Sequence, residues 1–124
     1  DSFLDAASGS IKKALLIKEN SSEYEQINKI FDIIDKENLV SFINSASSIY
    51  ESKDDIYNIL DYINILLDIK IRSNSNNSFK FANCIFTVEE VKKRLRANSN
   101  YDMSVDYLLM NMWKEINSER SSRY

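Results

Sequence analysis

Between Phe81 and Ile116 the apolar residues recur at helical spacing on both sides of one polar elbow. On the later segment Val105, Leu108, Leu109, Met112 and Ile116 stand at i, i+3, i+4, i+7 and i+11, which is one face of an α-helix. On the earlier segment Phe81, Ile85, Val88, Val91 and Leu95 make a similar stripe, with Cys84 on its flank. Each such side chain, fully buried, contributes about 1.5–3 kcal/mol. No other stretch has so strong a reason to lie at the centre of a core. The elbow, Asn98-Ser99-Asn100, has the chemistry of a helix–helix junction. Asn98 can end the first helix in the left-handed region, and Asn100 can cap the second with its side-chain oxygen.

One glycine and no proline in 124 residues leave few turns to build from, so helices joined by short Asn/Ser links are the natural architecture. No run alternates with period two between turn residues, as a strand would. The expectation is an all-α domain, an antiparallel bundle of about five helices over residues 21–124, preceded by a short helical appendage over 1–20. Residues Ile11 to Lys18 read as the helix of that appendage, with Gly9 in the turn and Ser10 as its N-cap. Ser22 and Glu25 form a capping box that opens a helix carrying Ile27, Ile30, Phe31 and Ile34. Asp35 to Asn38 interrupts it, and a second helix shows Leu39, Phe42, Ile43, Ala46, Ile49 and Tyr50. A start at Ser52 with Asp54 and Asp55 opens the longest helix, to about Arg72, with Ile56, Ile59, Leu60, Ile63, Leu66 and Leu67 on its face. Residues 73–78 read as a surface loop. The next helix starts at Ser78, or at Thr87, where Thr87 and Glu90 make a second box with a Phe86–Val91 staple; the stripe from Phe81 onward favours the earlier start. The polar segment 117–124 is expected to fray.

Chemistry is thinly represented. The chain has no histidine, the commonest general base and metal ligand, and its single cysteine has no internal partner, which fits a reducing, cytoplasmic setting. No catalytic residue, cofactor site or metal site is expected. The adjacent acids Asp54/Asp55 and Glu89/Glu90 are explained by helix starts, and Cys84 by core packing. Lys92, Lys93, Arg94 and Arg96 form one basic cluster, best placed to offset a helix dipole. With a net charge of −3, direct nucleic-acid binding is not expected. Nor is a membrane span, since no apolar run is long enough. Tyr101, Tyr107 and Trp113 do not all fall on the apolar stripe, and such aromatics mark a candidate protein interface. The start at Asp1, without a methionine, reads as a piece of a longer protein.

Two motifs carry a resemblance. Lys93-Arg94-Leu95-Arg96-Ala97-Asn98-Ser99-Asn100-Tyr101-Asp102-Met103, followed by Val105-Asp106-Tyr107-Leu108-Leu109, resembles the C-terminal end of the delta-prime subunits of the bacterial DNA polymerase III clamp loader. Ser8-Gly9-Ser10-Ile11-Lys12-Lys13-Ala14-Leu15 resembles the lid-domain signature of AAA+ clamp-loader subunits. The resemblance implies that residues 1–20 are the tail of the AAA+ lid domain and 21–124 the helical collar. Collar domains of that family oligomerise and hold together the complex that loads the sliding clamp onto primed DNA. The implied partners are the other clamp-loader subunits, gamma/tau and delta. In the ATP-binding subunits an arginine of the lid helix senses nucleotide; Lys12 stands at that sensor-2-like place, and an ammonium lacks the planar fork of a guanidinium. A gamma/tau collar, an unrelated helical adaptor and an enzyme fragment with part of a nucleotide site at Lys12 are the alternatives.

Overall fold

The computed structural model describes residues 21–73, 76 and 78–118, with the side chains of 21–23 excepted. The appendage over 1–20, Lys12 included, lies outside the described residues, as does the segment from 119 onward. Among the described residues the chain forms five α-helices and no strand. They are α1 (Ser21–Ile33), α2 (Leu39–Ser45), α3 (Ile56–Ser73), α4 (Ser78–Arg96) and α5 (Tyr101–Ile116), with 3-10 turns at Ser47–Glu51 and Lys53–Asp55 between α2 and α3. One hydrophobic core runs from Tyr24 on α1 to Met112 on α5.

Helix α4 lies between α3 and α5 and opposes both in direction. Asp61 and Asn64 of α3 meet Lys92 and Glu89 of α4, while Asn83 and Arg94 of α4 meet Glu115 and Tyr107 of α5. The α5 stripe is buried as its spacing requires: Val105, Leu108, Leu109 and Met112 are closed to solvent and Ile116 is half-buried. On α4 the buried line is Cys84, Val88 and Val91, with Phe81, Ile85 and Leu95 half-buried beside it. Cys84 is thus a central core residue rather than a flanking one, because α4 must serve two neighbours and its buried face turns between them. On α1, Ile27, Ile30 and Phe31 are buried, as is Ile34 just beyond its end. Tyr24 stacks on Tyr62 of α3 with ring centroids 4.4 Å apart, and the Tyr62 hydroxyl donates to Asn28 Oδ1 at 2.8 Å. A stacked, hydrogen-bonded tyrosine is a stable way to place a phenol at a core edge.

The elbow forms as its asparagines suggest. Asn98 has φ 61°, the left-handed region that asparagine tolerates better than most residues. Asn98 N–H donates to Leu95 O and Ser99 N–H to Arg94 O, both at 3.0 Å, which closes the end of α4 with the 5→2 and 6→1 bonds of a Schellman cap. Asn100 Oδ1 then accepts from Met103 N–H at 2.9 Å and caps α5.

Three local expectations are corrected, and of the two starts read for the fourth helix the favoured one is taken. The single helix expected from Leu39 to Tyr50 breaks at Ala46 and continues as a 3-10 turn. The tighter three-residue period of the 3-10 turn keeps Ala46 and Ile49 both buried. Ser52 does not cap: its Oγ donates back to Ser48 O at 2.8 Å, and α3 begins at Ile56. Thr87 lies inside α4, bonded to Asn83 O, so helix α4 takes the earlier start and the Phe86–Val91 staple does not form: Val91 is buried and Phe86 is 74% exposed. Asn117 and Ser118, at the head of the segment expected to fray, are held. Asn117 Nδ2 donates to Ile34 O at 2.9 Å, and Lys80 Nζ donates to Ile116 O at 3.3 Å and Ser118 O at 2.7 Å. The Lys80 bonds occupy Ile116 O, which the end of α5 would otherwise leave open, and Ser118 O just beyond it.

Candidate functional site

The three aromatics of the candidate interface all sit on α5, half-buried against the core. Tyr101, in the first turn, sends its hydroxyl to Ile49 O at 2.6 Å. Burial, together with the nearby charge of Asp102, pushes that phenol up to about 12. Trp113, three turns later, donates its indole N–H to Glu37 O at 2.9 Å. Between them Asp106 accepts from the hydroxyl of Tyr50, whose phenol is held above its ordinary range by burial and by that carboxylate. Asn117 completes the row through Ile34 O. Helix α5 and its C-cap therefore tie down two irregular stretches, the α1–α2 link and the 3-10 turns. The polar ends of Tyr101 and Trp113 are engaged within the molecule, and only parts of their rings are left to a partner.

Tyr107 differs. Its ring lies under the Arg94 guanidinium, 3.9 Å from centroid to Cζ, and Glu90 holds the other side of Arg94 at 3.0 Å. A guanidinium stacked on a phenol ring at a surface site is favourable by about 0.5–1 kcal/mol. This group borders an open recess of about 460 Å³ lined by Phe86, Thr87, Glu89, Glu90, Lys93 and Tyr107. Phe86 was not among the aromatics singled out from sequence. The available signal was its position: it stands opposite Cys84, Val88 and Val91 on the helical wheel, among charged neighbours, and so points to solvent.

The basic cluster is partly neutralised. Lys92 Nζ meets Asp61 at 2.7 Å and Glu89 at 3.3 Å, and Asn64 Nδ2 donates to Glu89 at 2.8 Å. Burial alone would lower the Lys92 pKa, but the two carboxylates keep it raised. The Asn64 hydrogen bond, then Lys92, hold the Glu89 carboxyl below the usual range. Lys92 and Arg94 thus carry carboxylate partners, while Lys93 and Arg96 stand in the last turns of α4 where the helix dipole favours them. Cys84 is fully enclosed, and burial together with Glu115 pushes its thiol up to about 12, so it is a packing residue and not a nucleophile at neutral pH. Among the described residues no group of acidic, cysteine or histidine side chains is arranged to hold a metal ion, and no helix is long and apolar enough to cross a membrane. Compared with family models, curated proteins and solved structures, the chain matches none.

Proposed function

We propose that the chain is a non-catalytic assembly domain, the collar region of a bacterial clamp-loader subunit of the delta-prime type. On this reading residues 21–124 form an antiparallel collar bundle that holds neighbouring subunits together in the cytoplasm, while the parent complex loads the sliding clamp onto primed DNA. The observation that carries it is the elbow. The residues that bear the resemblance, 93–109, build the capped junction of α4 and α5, and that junction organises the core. The stretch therefore has a structural role of the kind a collar requires, and the outer edges of Tyr101, Tyr107 and Trp113 supply a flank for a neighbour. An unrelated adaptor would carry these aromatics in one groove, whereas Tyr107 alone lines the recess.

The test is co-elution of the purified chain with the gamma/tau and delta subunits of the same organism at micromolar concentration. Association is expected, and Tyr107→Ala with Trp113→Ala should weaken it by more than about 1 kcal/mol while helical content is kept. Failure to co-elute, or a double variant that assembles as well as the parent, refutes the proposal. The chain should not hydrolyse ATP; turnover that disappears in Lys12→Ala would point instead to the enzyme-fragment alternative.

A further inference from the structure

The outer face of α4 carries a charge pattern that is its own complement. Starting from Phe86, steps of 100° per residue place Glu89, Glu90, Lys93, Arg94 and Ala97 on the side of the helix away from Cys84, Val88 and Val91. Phe86 is 74% exposed, Glu89, Lys93 and Ala97 are exposed, and Glu90 and Arg94 are half-buried. Along the helix the order is aromatic, two acids, two bases, then a small residue at the elbow.

A two-fold axis between the levels of Val91 and Lys92, perpendicular to the helix, maps this face onto itself with the signs reversed. In an antiparallel pair each flank meets the same flank of the partner, so on the α5 side Glu90 of one copy faces Arg94 of the other, on the α3 side Glu89 faces Lys93, and at the centre Phe86 faces Ala97. Each contact occurs twice, as a two-fold interface requires. Phe86 then leaves solvent against the small residue that can receive it. The recess on this face gives the approaching side chains room. Within one copy Glu90 pairs with Arg94 at the surface, where an ion pair is weak and exchangeable.

We propose that this face of α4 binds a second copy of the chain, as a symmetric antiparallel helix pair. The occupant is set by charge: a partner strip must present base to Glu89 and Glu90 and acid to Lys93 and Arg94 in reversed order, and the chain's own α4 does so. The proposal stands on the face alone and does not depend on the clamp-loader reading. Phe86 to Ala97 spans roughly 16 Å of helix, a small strip beside the roughly 800 Å² per partner of a stable complex, so the pair is weak and sensitive to salt.

The test is sedimentation equilibrium of the 124-residue chain at concentrations up to about 1 mM, at low and high salt, with three variants. The parent should dimerise, less so at high salt, and Phe86→Ser should weaken it. Glu90→Lys alone and Arg94→Glu alone should each lower the association constant by about tenfold, since both symmetric contacts become like-charged. An equimolar mixture of those two variants should restore association to near the parent's, because both contacts between unlike copies are then attractive. The mixture also controls for folding, as misfolded variants would not rescue one another. A parent that stays monomeric, variants that associate as the parent does, or a mixture no better than its components overturns the proposal.

Discussion

Leu109→Ala is the perturbation that most directly tests the arrangement of the core. Leu109 sits in the middle of α5, 1% exposed, within the single hydrophobic core. Removing three carbon groups at about 0.8 kcal/mol each costs about 2.4 kcal/mol if the surroundings collapse fully. If they do not, the cavity adds about 24 cal/mol per Å³ and the loss approaches about 5 kcal/mol. At about 2.1 cal/mol/K per residue, a chain of this length loses roughly 4 °C of melting temperature per kcal/mol, so Tm should fall by roughly 8–20 °C. Met103→Ala on the same helix is the control. Met103 is 69% exposed, and alanine favours the helix, so its effect should stay within about 0.5 kcal/mol. Urea unfolding followed by helical circular dichroism measures both. Equal midpoints for the two variants would mean that α5 buries a different face from the one described.

The elbow should respond to backbone freedom: Asn98→Gly should be tolerated, while Asn98→Val should cost about 1–2 kcal/mol because a β-branched residue resists φ 61°; equal stabilities would show that the left-handed turn does not persist in solution. Asn100→Ala should cost about 0.5–2 kcal/mol in the same urea assay, the worth of a lost N-cap. Stability should decline at alkaline pH: Cys84 and Tyr101 are held neutral, with folded pKa values of about 12 above their ordinary ones, so their contribution is complete below the unfolded pKa and drains away from about pH 9 toward 12. Cys84→Ala should flatten the part of that decline that begins nearest pH 9, and an unchanged pH profile would refute the assignment. Glu89 acts at the other end: its carboxyl is depressed, so its contribution is present above the unfolded carboxylate range and is lost as pH falls through the folded value, a loss that Glu89→Gln should remove from acid titrations.

Much of this molecule was legible without coordinates, and the reason is local. The stripes of α1 and α5 were readable because a helix that faces one core keeps one apolar face, and periodicity reports it directly. The elbow was readable because a left-handed cap and an N-cap each favour asparagine for reasons contained in a few residues. What tertiary structure alone decided was the use of each surface. Helix α4 packs against both α3 and α5, so Cys84 moves to the centre of its buried face, and no single-helix period could reveal that second neighbour. Ala46 ends α2 although the apolar spacing continues, because the 3-10 turn brings Ile49 to where its carbonyl meets the Tyr101 hydroxyl. Tyr101 and Trp113 read as interface candidates because their partners, Ile49 and Glu37, lie 52 and 76 residues away, beyond any local signal. Phe86 was within reach of its helical angle, but its exposure follows from what packs around α4: the chain covers the opposite face and leaves this one to solvent.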